Sequence, residues 1–253
     1  MRHTLRVATF NIRYDTPSDG AHSWTQRRSA VRQTIDDLRC DVVGLQEVLP
    51  RQRRYLRART RGLRWYGVGR DDGRRNGEQC PVLVRRRSVR VEEWSTQWLS
   101  ATPDVAGSTG IDARIPRVAT VVRGRWAGRQ IGVINTHFDH RGERSRVAAA
   151  RQIAQLVSVD DARNWVVCGD FNIGLDEDPM QILAANGLRS VLPPEAAGTF
   201  HAFGGAADGP RIDHVLVSSR WRIERAEIEL NRPGGMIPSD HWPVLAELTL
   251  GEH

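Results

Sequence analysis

The stretch that decides the fold runs from Trp165 to Asn172 and reads W-V-V-C-G-D-F-N. Its apolar run is shorter than a typical helix and contains paired valines, which predicts a buried strand. Gly169 permits a close approach of the backbone, and Asp170 and Asn172 are expected to project to the same side of an extended chain. A carboxylate beside a carboxamide suits a hard cation or a phosphate oxygen. The alternative is an ordinary Asp and Asn turn that follows a strand.

Two apolar segments near the beginning of the chain also end in polar side chains. Residues 5–12 (L-R-V-A-T-F-N-I) alternate as a strand whose end carries Asn11, and residues 41–48 (D-V-V-G-L-Q-E-V) predict a buried strand that ends near Glu47. Between them, residues 24–39 have the apolar spacing of a helix, with arginines on the opposite face. This first β-α-β unit therefore places an Asn and a Glu at strand ends.

The rest of the chain mixes strands with a few helices. Further strands are predicted at residues 65–69, 81–85, 89–99, 118–122, 130–137, 211–218 and 221–230, and further helices at residues 51–64, 143–159 and 175–186. A connection around residues 124–128 joins two neighbouring strands, and the Pro- and Gly-rich residues 100–117 and 193–210 predict long irregular segments. Strands and helices in both halves predict two packed sheets flanked by helices.

The composition indicates one globular domain that spans residues 1–253. With 253 residues, 40% hydrophobic and 26% charged, the chain can bury one large core. Its apolar segments are interrupted before membrane-spanning length, and no signal-peptide core precedes the first strand, so we expect a cytoplasmic monomer without a membrane span. Cys40, Cys80 and Cys168 are far apart and lack metal-ligand spacing, which predicts reduced structural thiols.

The charge balance favours anionic partners without choosing among them. The net charge is +7, and all 37 basic residues are arginine, which is typical of a GC-rich genome. A basic surface attracts phosphate esters, nucleic acids and anionic lipid head groups alike. The arginine-dense residues 51–64 predict a solvated helix face, with a nucleic-acid contact as the alternative.

Six short motifs occur in one order along the chain. They are T-F-N-I at residues 9–12, L-Q-E-V at 45–48, N-T-H at 135–137, G-D-F-N at 169–172, I-D-H at 212–214 and S-D-H-W-P-V at 239–244. In content and order they resemble the endonuclease/exonuclease/phosphatase family of metal-dependent phosphoesterases, which includes DNase I and the apurinic endonucleases. The resemblance spans almost the whole chain. It implies a DNase I-like fold of the α/β class, a four-layer α/β/β/α sandwich, and dependence on Mg²⁺ or Mn²⁺.

Further motifs are similar to a bacterial branch of this family whose substrates are mostly unknown. They are T-F-N-I-R-Y-D, G-R-D-D-G-x-x-x-G-E, W-L-S-x-T-P, P-R-V-A-T and N-T-H-F-D-H. Apurinic endonucleases carry an acid two residues after the first Asn, where this chain has Arg13, which argues against DNA repair. His214 stands where the family often has Tyr and is expected to pack.

The resemblance assigns a site for a divalent cation. Glu47 is the first candidate ligand, because an unpaired acid at the end of a buried strand would be costly. Asp170 and Asn172 would orient the attacking water and hold the phosphoryl oxygens. The candidate metal ligands are Asn11, Glu47, Asp170, Asn172, Asp240 and His241.

The resemblance also assigns the acid/base groups. His241 would exchange the proton, with its ring held by Asp213, because a carboxylate behind an imidazole sets the tautomer. His137 would either protonate the leaving oxygen or stabilise the transition state, and we expect it to lean on Glu78. The candidate catalytic residues are His137, Asp170, Asn172, Asp213 and His241.

Residues in the branch-type motifs are candidates for substrate binding. A guanidinium or imidazole there could grip a phosphate, and each also has an ordinary interpretation as a loop or helix-start contact. The candidates are Arg70, Glu78, Arg117, His140 and Arg146, with Asp71, Asp72 and Asp139 in the same motifs.

Together these features predict a Mg²⁺-dependent phosphoesterase that hydrolyses a phosphate mono- or diester by in-line attack of water. One alternative is a metal-dependent nuclease on DNA or RNA, because the chain is basic. The other is a non-catalytic phosphate-binding module on the same fold. Retention of the acids, amides and imidazoles disfavours this module, because binding alone does not require them.

Overall fold

A computed structural model describes residues 3–251 of the chain. Within them, twelve strands form two six-stranded sheets. The strands are β1 (Leu5–Asn11), β2 (Val42–Gln46), β3 (Leu63–Tyr66), β4 (Val82–Arg85), β5 (Val89–Trp98), β6 (Val118–Trp126), β7 (Arg129–His137), β8 (Asn164–Asp170), β9 (Leu188–Ser190), β10 (Asp213–Ser218), β11 (Trp221–Ile228) and β12 (Val244–Leu250). The helices are α1 (Trp24–Asp37), α2 (Pro50–Arg57), α3 (Glu143–Val159) and α4 (Asp178–Ala185), and short 3-10 turns occur at Pro17–His22 and Pro233–Gly235.

The two sheets have matching centres. The first has the strand order β11-β12-β1-β2-β4-β3, and the second has the order β5-β6-β7-β8-β10-β9. In each sheet the two central strands are parallel, β1 with β2 and β7 with β8, and their other neighbours are antiparallel. Carboxyl ends of parallel neighbours meet at one edge, so each sheet delivers the ends of its two central strands to the same side.

Three apolar layers hold the four-layer sandwich together. One lies between the sheets, where Val7 and Val42 of the first sheet pack in the same cluster as Val133 and Val166 of the second. A second joins α1 and α2 to the outer face of the first sheet, and a third joins α3 and α4 to the second sheet. The predicted α/β/β/α sandwich of two mixed sheets is therefore confirmed.

Several predicted element boundaries are wrong, and two of them have a local cause in the backbone. The helix expected over residues 51–64 ends at Arg57, because Gly62 adopts φ +82 and Leu63 already pairs with Arg85 in the sheet. The connection expected around residues 124–128 is shorter, since β6 continues to Trp126. A two-residue turn follows, and both its residues have positive φ, as hairpin turns of this type require.

Four smaller features also differ from the sequence expectations or agree with them. Strand β9 was not predicted, and the helix expected over residues 175–186 is shortened to α4. Arg27 lies on the buried face of α1 rather than with the exposed arginines. The three cysteines are buried and unbonded, as predicted.

Burial raises the pKa values of the Cys80 and Cys168 thiols to about 12.

In the part of the chain that the structure describes, none of the helices is long and apolar enough to cross a membrane. The single-domain assignment stays a prediction, and its terminal residues Met1, Arg2, Glu252 and His253 lie outside the described range.

Candidate active site

Strand register places the candidate acids and imidazoles at one edge of the sandwich. Asp170 is the last residue of β8, and it lies opposite His137 of β7 and opposite Asp213 of β10. In the first sheet Asn11 ends β1, and Glu47 follows β2 directly. Residues more than 150 positions apart in sequence are joined here, since Asn11 Nδ2 donates to Asp170 Oδ2 at 2.9 Å.

The side chain of Asn11 bridges the two carboxylates. Its Nδ2 donates to Glu47 Oε1 at 3.0 Å as well as to Asp170, while its Oδ1 accepts from the Arg13 backbone N–H at 2.9 Å. The assignment of Asn11 as a metal ligand stays a prediction, and its Oδ1 accepts one hydrogen bond from the backbone. The Arg13 amide needs an acceptor, and taking the Asn11 oxygen turns the amide group toward the acids.

Glu47 and Asn172 both adopt left-handed backbone conformations, with φ +60 and φ +56. The Asn172 N–H donates to Asp170 Oδ1 at 2.9 Å, and its Nδ2 donates to the Phe138 carbonyl at 3.0 Å. The expected extended chain from Asp170 to Asn172 is therefore wrong, because the strand ends and the backbone turns back. Strained non-glycine residues tend to cluster at functional sites.

His241 and Asp213 form the predicted pair. His241 Nδ1 lies 2.7 Å from Asp213 Oδ2, and both residues are buried. Burial opposes the charged imidazole, but Asp213, with Asp170 and Asp240, outweighs it and raises the pKa of His241 to about 10. The second ring nitrogen, Nε2, lies 3.9 Å from Asp170 Oδ2.

Asp170 is the most perturbed carboxylate of the site. Burial and the nearby Asp213 raise its pKa to about 7, against the lowering effects of His241 and Asn11. Ionising both Asp170 and Asp213 costs free energy, because two negative charges would lie close together in a buried site. A positive charge beside Asp170 would therefore strongly stabilise its ionised carboxylate.

His137 is held neutral. Burial, then Arg117 and His241, lower its pKa well below the usual value. Its Nε2 lies 3.5 Å from Asp170 Oδ2, and its buried Nδ1 has no hydrogen-bond partner among residues 3–251. The expected support from Glu78 is wrong, because the Glu78 carboxylate lies 2.9 Å from Arg70 Nη1 instead.

Two arginines flank His137, one half-buried and one buried, and each has its own polar partners. Arg70 pairs with Glu78, whose pKa is raised by burial and by Glu47. Arg117 Nη2 lies 3.0 Å from His140 Nδ1, and its Nε lies 3.5 Å from Asp139. These contacts bring Arg70, Glu78, Arg117 and His140 around the site.

The remaining branch-motif residues have structural contacts. Asp139 Oδ1 accepts the Arg141 and Gly142 backbone N–H groups, and Arg146 donates to the Asp139 carbonyl at 3.1 Å. Asp72 Oδ1 accepts three consecutive N–H groups of its own loop, and Asp71 is exposed. For Asp72 and Asp139 the loop interpretation is sufficient.

The oxygen-rich part of the site fits a hard divalent cation. Ligand atoms of Glu47, His137 and Asp170 lie within 4.8 Å of one another, and Asp170, Asp213 and His241 form a second such group. Converging carboxylate oxygens are the donors that Mg²⁺ prefers. Among residues 3–251 neither group includes Asp240, which accepts from Ser239 Oγ at 3.2 Å and lies 3.8 Å from Arg13.

Sequence analysis missed Arg27 of α1, whose side chain stabilises two backbone segments of the site. Its guanidinium donates to the carbonyls of His22, Ile12, Arg13, Tyr14 and Pro238, and it is fully buried. It thereby ties the segment after Asn11 to the segment before Asp240. The available signal was an arginine at the helical spacing of the apolar residues Trp24 and Val31.

The chain is similar to known proteins over nearly its whole length. The model of the Endonuclease/Exonuclease/phosphatase family matches residues 8–241. A crystal structure of an endonuclease/exonuclease/phosphatase from Bacteroides vulgatus shares 35% identity with a TM-score of 0.93, covering 99% of this chain and 100% of that one. The mannosyl-6-phosphatase of Bacteroides thetaiotaomicron shares 28% identity with a TM-score of 0.89, covering 96% and 99%.

More distant structures share the fold alone. The human Nocturnin catalytic domain has 19% identity and a TM-score of 0.78, covering 99% of this chain and 96% of that one. None of the curated proteins compared matches the sequence.

Proposed function

This chain belongs to the endonuclease/exonuclease/phosphatase family, whose members act on phosphate ester bonds, and we propose that it hydrolyses a small phosphate ester with Mg²⁺ or Mn²⁺. One observation supports this most directly. The buried Asp170 carboxylate contacts Asn11 of the first sheet and lies within 4 Å of both His137 and His241. Such convergence of acids and imidazoles suits metal-assisted hydrolysis.

Glu47 and Asp170 would hold the cation, with Asn172 and Asp240 as further candidates from the family motifs. When bound, a divalent cation supplies charge neutralisation to the phosphoryl oxygens. The raised pKa of Asp170 supports this assignment, because a buried carboxylate in that state gains from a positive neighbour. Asn11 orients both carboxylates through its amide group.

His241 is the residue that carries the moving proton. Asp213 occupies Nδ1, so Nε2 is the nitrogen left for the attacking water or the leaving oxygen. As water attacks the phosphorus and the bond to the leaving oxygen breaks, the charged His241 would give its Nε2 proton to that oxygen, and the proton that the water loses would return to Nε2. Neutral His137 is better suited to donate a hydrogen bond to a phosphoryl oxygen than to deliver the proton.

The residues around the site suit a small substrate. Arg70 and Arg117, with His140, can bind the charged oxygens of a compact phosphate group. The mannosyl-6-phosphatase with 28% identity over nearly the full length acts on a sugar phosphate, which supports a phosphomonoester of a small polar alcohol. A nuclease is the second candidate, supported by the net charge of +7.

The test is a hydrolysis screen of the purified protein with Mg²⁺, with Mn²⁺ and with EDTA. Substrates are mannose 6-phosphate, p-nitrophenyl phosphate, bis-p-nitrophenyl phosphate, single-stranded DNA and RNA. We expect metal-dependent release of phosphate from the small esters. Preferred cleavage of polynucleotide would establish the nuclease, and no hydrolysis of any ester with either metal would overturn the proposal.

The residue assignment is tested with His241→Asn and the exposed His3→Asn as its matched control. Loss of acid/base catalysis typically costs roughly 10²–10⁴ in rate, and we expect kcat of His241→Asn to fall by that factor. The control should keep the wild-type rate. A His241→Asn enzyme with normal folding and near-normal kcat would remove His241 from the mechanism.

A further inference from the structure

The layer of mainly apolar side chains between the two sheets contains an amide pair formed by Gln46 and Asn135. Both side chains are fully buried. Gln46 is the last residue of β2 and Asn135 lies in β7, so the pair joins the first sheet to the second. Gln46 Nε2 donates to Asn135 Oδ1 at 2.6 Å. Such a pair requires an explanation, because apolar side chains would fill the same space without leaving polar groups to satisfy.

The hydrogen bonds of the amide pair fix the orientation of both groups. Asn135 Nδ2 donates to the Leu45 carbonyl at 2.8 Å and to the Pro81 carbonyl at 2.9 Å. Since a carbonyl oxygen can only accept, the Asn135 nitrogen faces the first sheet, and its Oδ1 is left to accept from Gln46. Gln46 Nε2 also donates to Thr9 Oγ1 of β1 at 2.9 Å. The pair therefore connects β7 to β1, to β2 and to the residue that precedes β4.

The sheets approach each other closely where Asn135 crosses between them. A Cβ added at Gly44 of β2 would lie 2.6 Å from Asn135 Oδ1 and 2.7 Å from Cys168 Sγ of β8. Both distances are shorter than the contacts that Cβ atoms make, so only glycine fits opposite the amide. Because Asn135 is enclosed in this way, a change of its hydrogen-bond partners would require a strand to move.

The amide pair lies one or two residues before the candidate active site along the strands that carry the site. Gln46 directly precedes Glu47, and Asn135 comes two residues before His137. In the parallel register of β1 and β2, Gln46 is also the partner of Asn11. The strands that the amide pair connects are therefore strands that deliver polar side chains to the site from both sheets.

The amide pair is a poor means of stabilising the sandwich. Gln46 Oε1 is buried and has no hydrogen-bond partner among residues 3–251. A buried acceptor without a partner lowers stability, and apolar side chains of similar shape would avoid this loss. Apolar packing has no preferred direction, whereas a hydrogen bond restricts both distance and angle. The pair is therefore suited to setting the alignment of the sheets rather than the strength of their attachment.

The alignment matters for the candidate cation site because its carboxylates come from different sheets. Glu47 follows β2 of the first sheet, and Asp170 ends β8 of the second. Ligand oxygens of the two lie within 4.8 Å of each other. Mg²⁺ requires near-ideal octahedral geometry with short bonds to oxygen. A small displacement of one sheet along the other would change the separation of the two carboxylates and weaken cation binding.

We propose that Gln46 and Asn135 are positioning residues, which fix the alignment of the two sheets and thereby the separation of the Glu47 and Asp170 carboxylates. Neither amide touches the cation or the substrate, since both are buried between the sheets. This inference rests on the cation site of the proposed function. It does not depend on which ester is hydrolysed.

The test is a measurement of Mn²⁺ binding without substrate, from the EPR signal of the free ion. The variants are Asn135→Leu, Gln46→Met and the double variant, which keep the approximate size of each side chain and remove its hydrogen bonds. Loss of residues that orient metal ligands costs roughly 10- to 100-fold in metal affinity, so we expect the Kd for Mn²⁺ to rise at least tenfold in all three.

The matched control is Asn164→Leu. Asn164 is a buried asparagine at the end of β8 opposite Asp170, and its Nδ2 also donates to a carbonyl, that of Gln130, at 2.7 Å. This variant loses the same type of hydrogen bond far from the site, so its Kd for Mn²⁺ should equal that of the wild type. An equal rise of the Kd in Asn164→Leu and Asn135→Leu would overturn the proposal.

Melting temperatures in EDTA separate positioning from general stability. Asn135→Leu leaves Gln46 without its acceptor, whereas the double variant removes both partners and should melt at a higher temperature than this single variant. We expect its Kd for Mn²⁺ to stay raised all the same. Recovery of the Kd together with the melting temperature would show a purely structural role. If Asn135→Leu does not fold, Gln46→Met gives the comparison, because it keeps the Asn135 bonds to both carbonyls.

Hydrolysis of p-nitrophenyl phosphate by the wild type distinguishes failure of this inference from failure of the proposed function. A wild type that binds Mn²⁺ but hydrolyses no ester would contradict the proposed function, and a raised Kd in the three variants would still support the positioning role. An active wild type, together with an unchanged Kd in all three variants, would overturn the positioning role alone.

Discussion

His214 is a buried imidazole whose role is packing. It is 2% exposed, its Nε2 lies 2.9 Å from the Ile173 carbonyl, and its ring meets Phe171 edge to face. Burial lowers its pKa to about 4, because a charged ring would lose its hydration there. The expectation that His214 packs is thus confirmed by its surroundings.

This histidine should make the protein less stable in mild acid. The unfolded chain takes up the proton near pH 6.5 and the folded chain only near pH 4, so stability is complete above about pH 6.5 and is lost as the pH falls toward 4. Between pH 7 and pH 5 the loss from this one group is about 2 kcal/mol.

Urea titrations of wild type, His214→Gln and the exposed control His3→Gln at both pH values measure it. The glutamine can still donate to Ile173 but does not titrate, so its stability should fall less between pH 7 and pH 5. An identical pH dependence in all three proteins would contradict the assignment.

At the residue scale, sequence identifies the polar groups but not their partners. Asn11, Glu47, Asp170 and His241 follow from their positions at strand ends. The pairing of Glu78 with Arg70 rather than with His137 does not, because it depends on how the loop of residues 70–78 folds back. The orientation of the Asn11 amide likewise depends on which backbone N–H lies within reach.

At the scale of elements, one glycine sets the spacing of the two parallel strands that carry His137 and Asp170. Gly169 has φ +155, and a Cβ at this position would lie 2.1 Å from the Thr136 carbonyl oxygen. Thr136 and Gly169 are partners in the β7–β8 register, one residue before His137 and Asp170. Any side chain here must push the strands apart beside the site.

Gly169→Ala should therefore lower both stability and activity. Steric overlap and backbone strain together cost roughly 2–4 kcal/mol, measured as the free energy of unfolding in urea. The matched control is Gly128→Ala, which has φ +78 but open space around the Cβ position. It should cost about 1 kcal/mol and leave kcat unchanged. Comparable effects at both positions would show that backbone strain alone matters.

Helices and strands could be predicted from the sequence where the pattern of apolar residues was long. The helix over residues 143–159 has the predicted bounds, because seventeen residues of amphipathic spacing leave little choice. The boundary after α2 was missed because Leu63 continues the helical spacing, while its true partner, Arg85, is 22 positions away. Strand β9 has three residues, too few for a pattern, and exists because it pairs with β10.

At the scale of the whole molecule, the candidate metal site joins two sheets that are also held by the apolar layer between them and by buried hydrogen bonds of Asn135 in β7 to Gln46 and the Leu45 carbonyl in β2. Glu47 and Asn11 extend from the first sheet, and His137 and Asp170 extend from the second. Unfolding separates these groups completely. A cation bound by all of them therefore stabilises the folded chain as a whole and not one loop.

Metal binding should raise the melting temperature. A ligand that binds only the folded state at 100 times its Kd adds about 2.7 kcal/mol, which for a chain of this size corresponds to roughly 5–10 °C. We expect this shift when Mg²⁺ or Mn²⁺ replaces EDTA. Because Glu47→Gln removes one anionic ligand, it should require a higher metal concentration for the same shift, whereas the exposed control Glu195→Gln should behave as wild type. Equal metal titrations for Glu47→Gln and wild type would place the cation elsewhere, and no shift in any protein would contradict a cation that bridges the sheets.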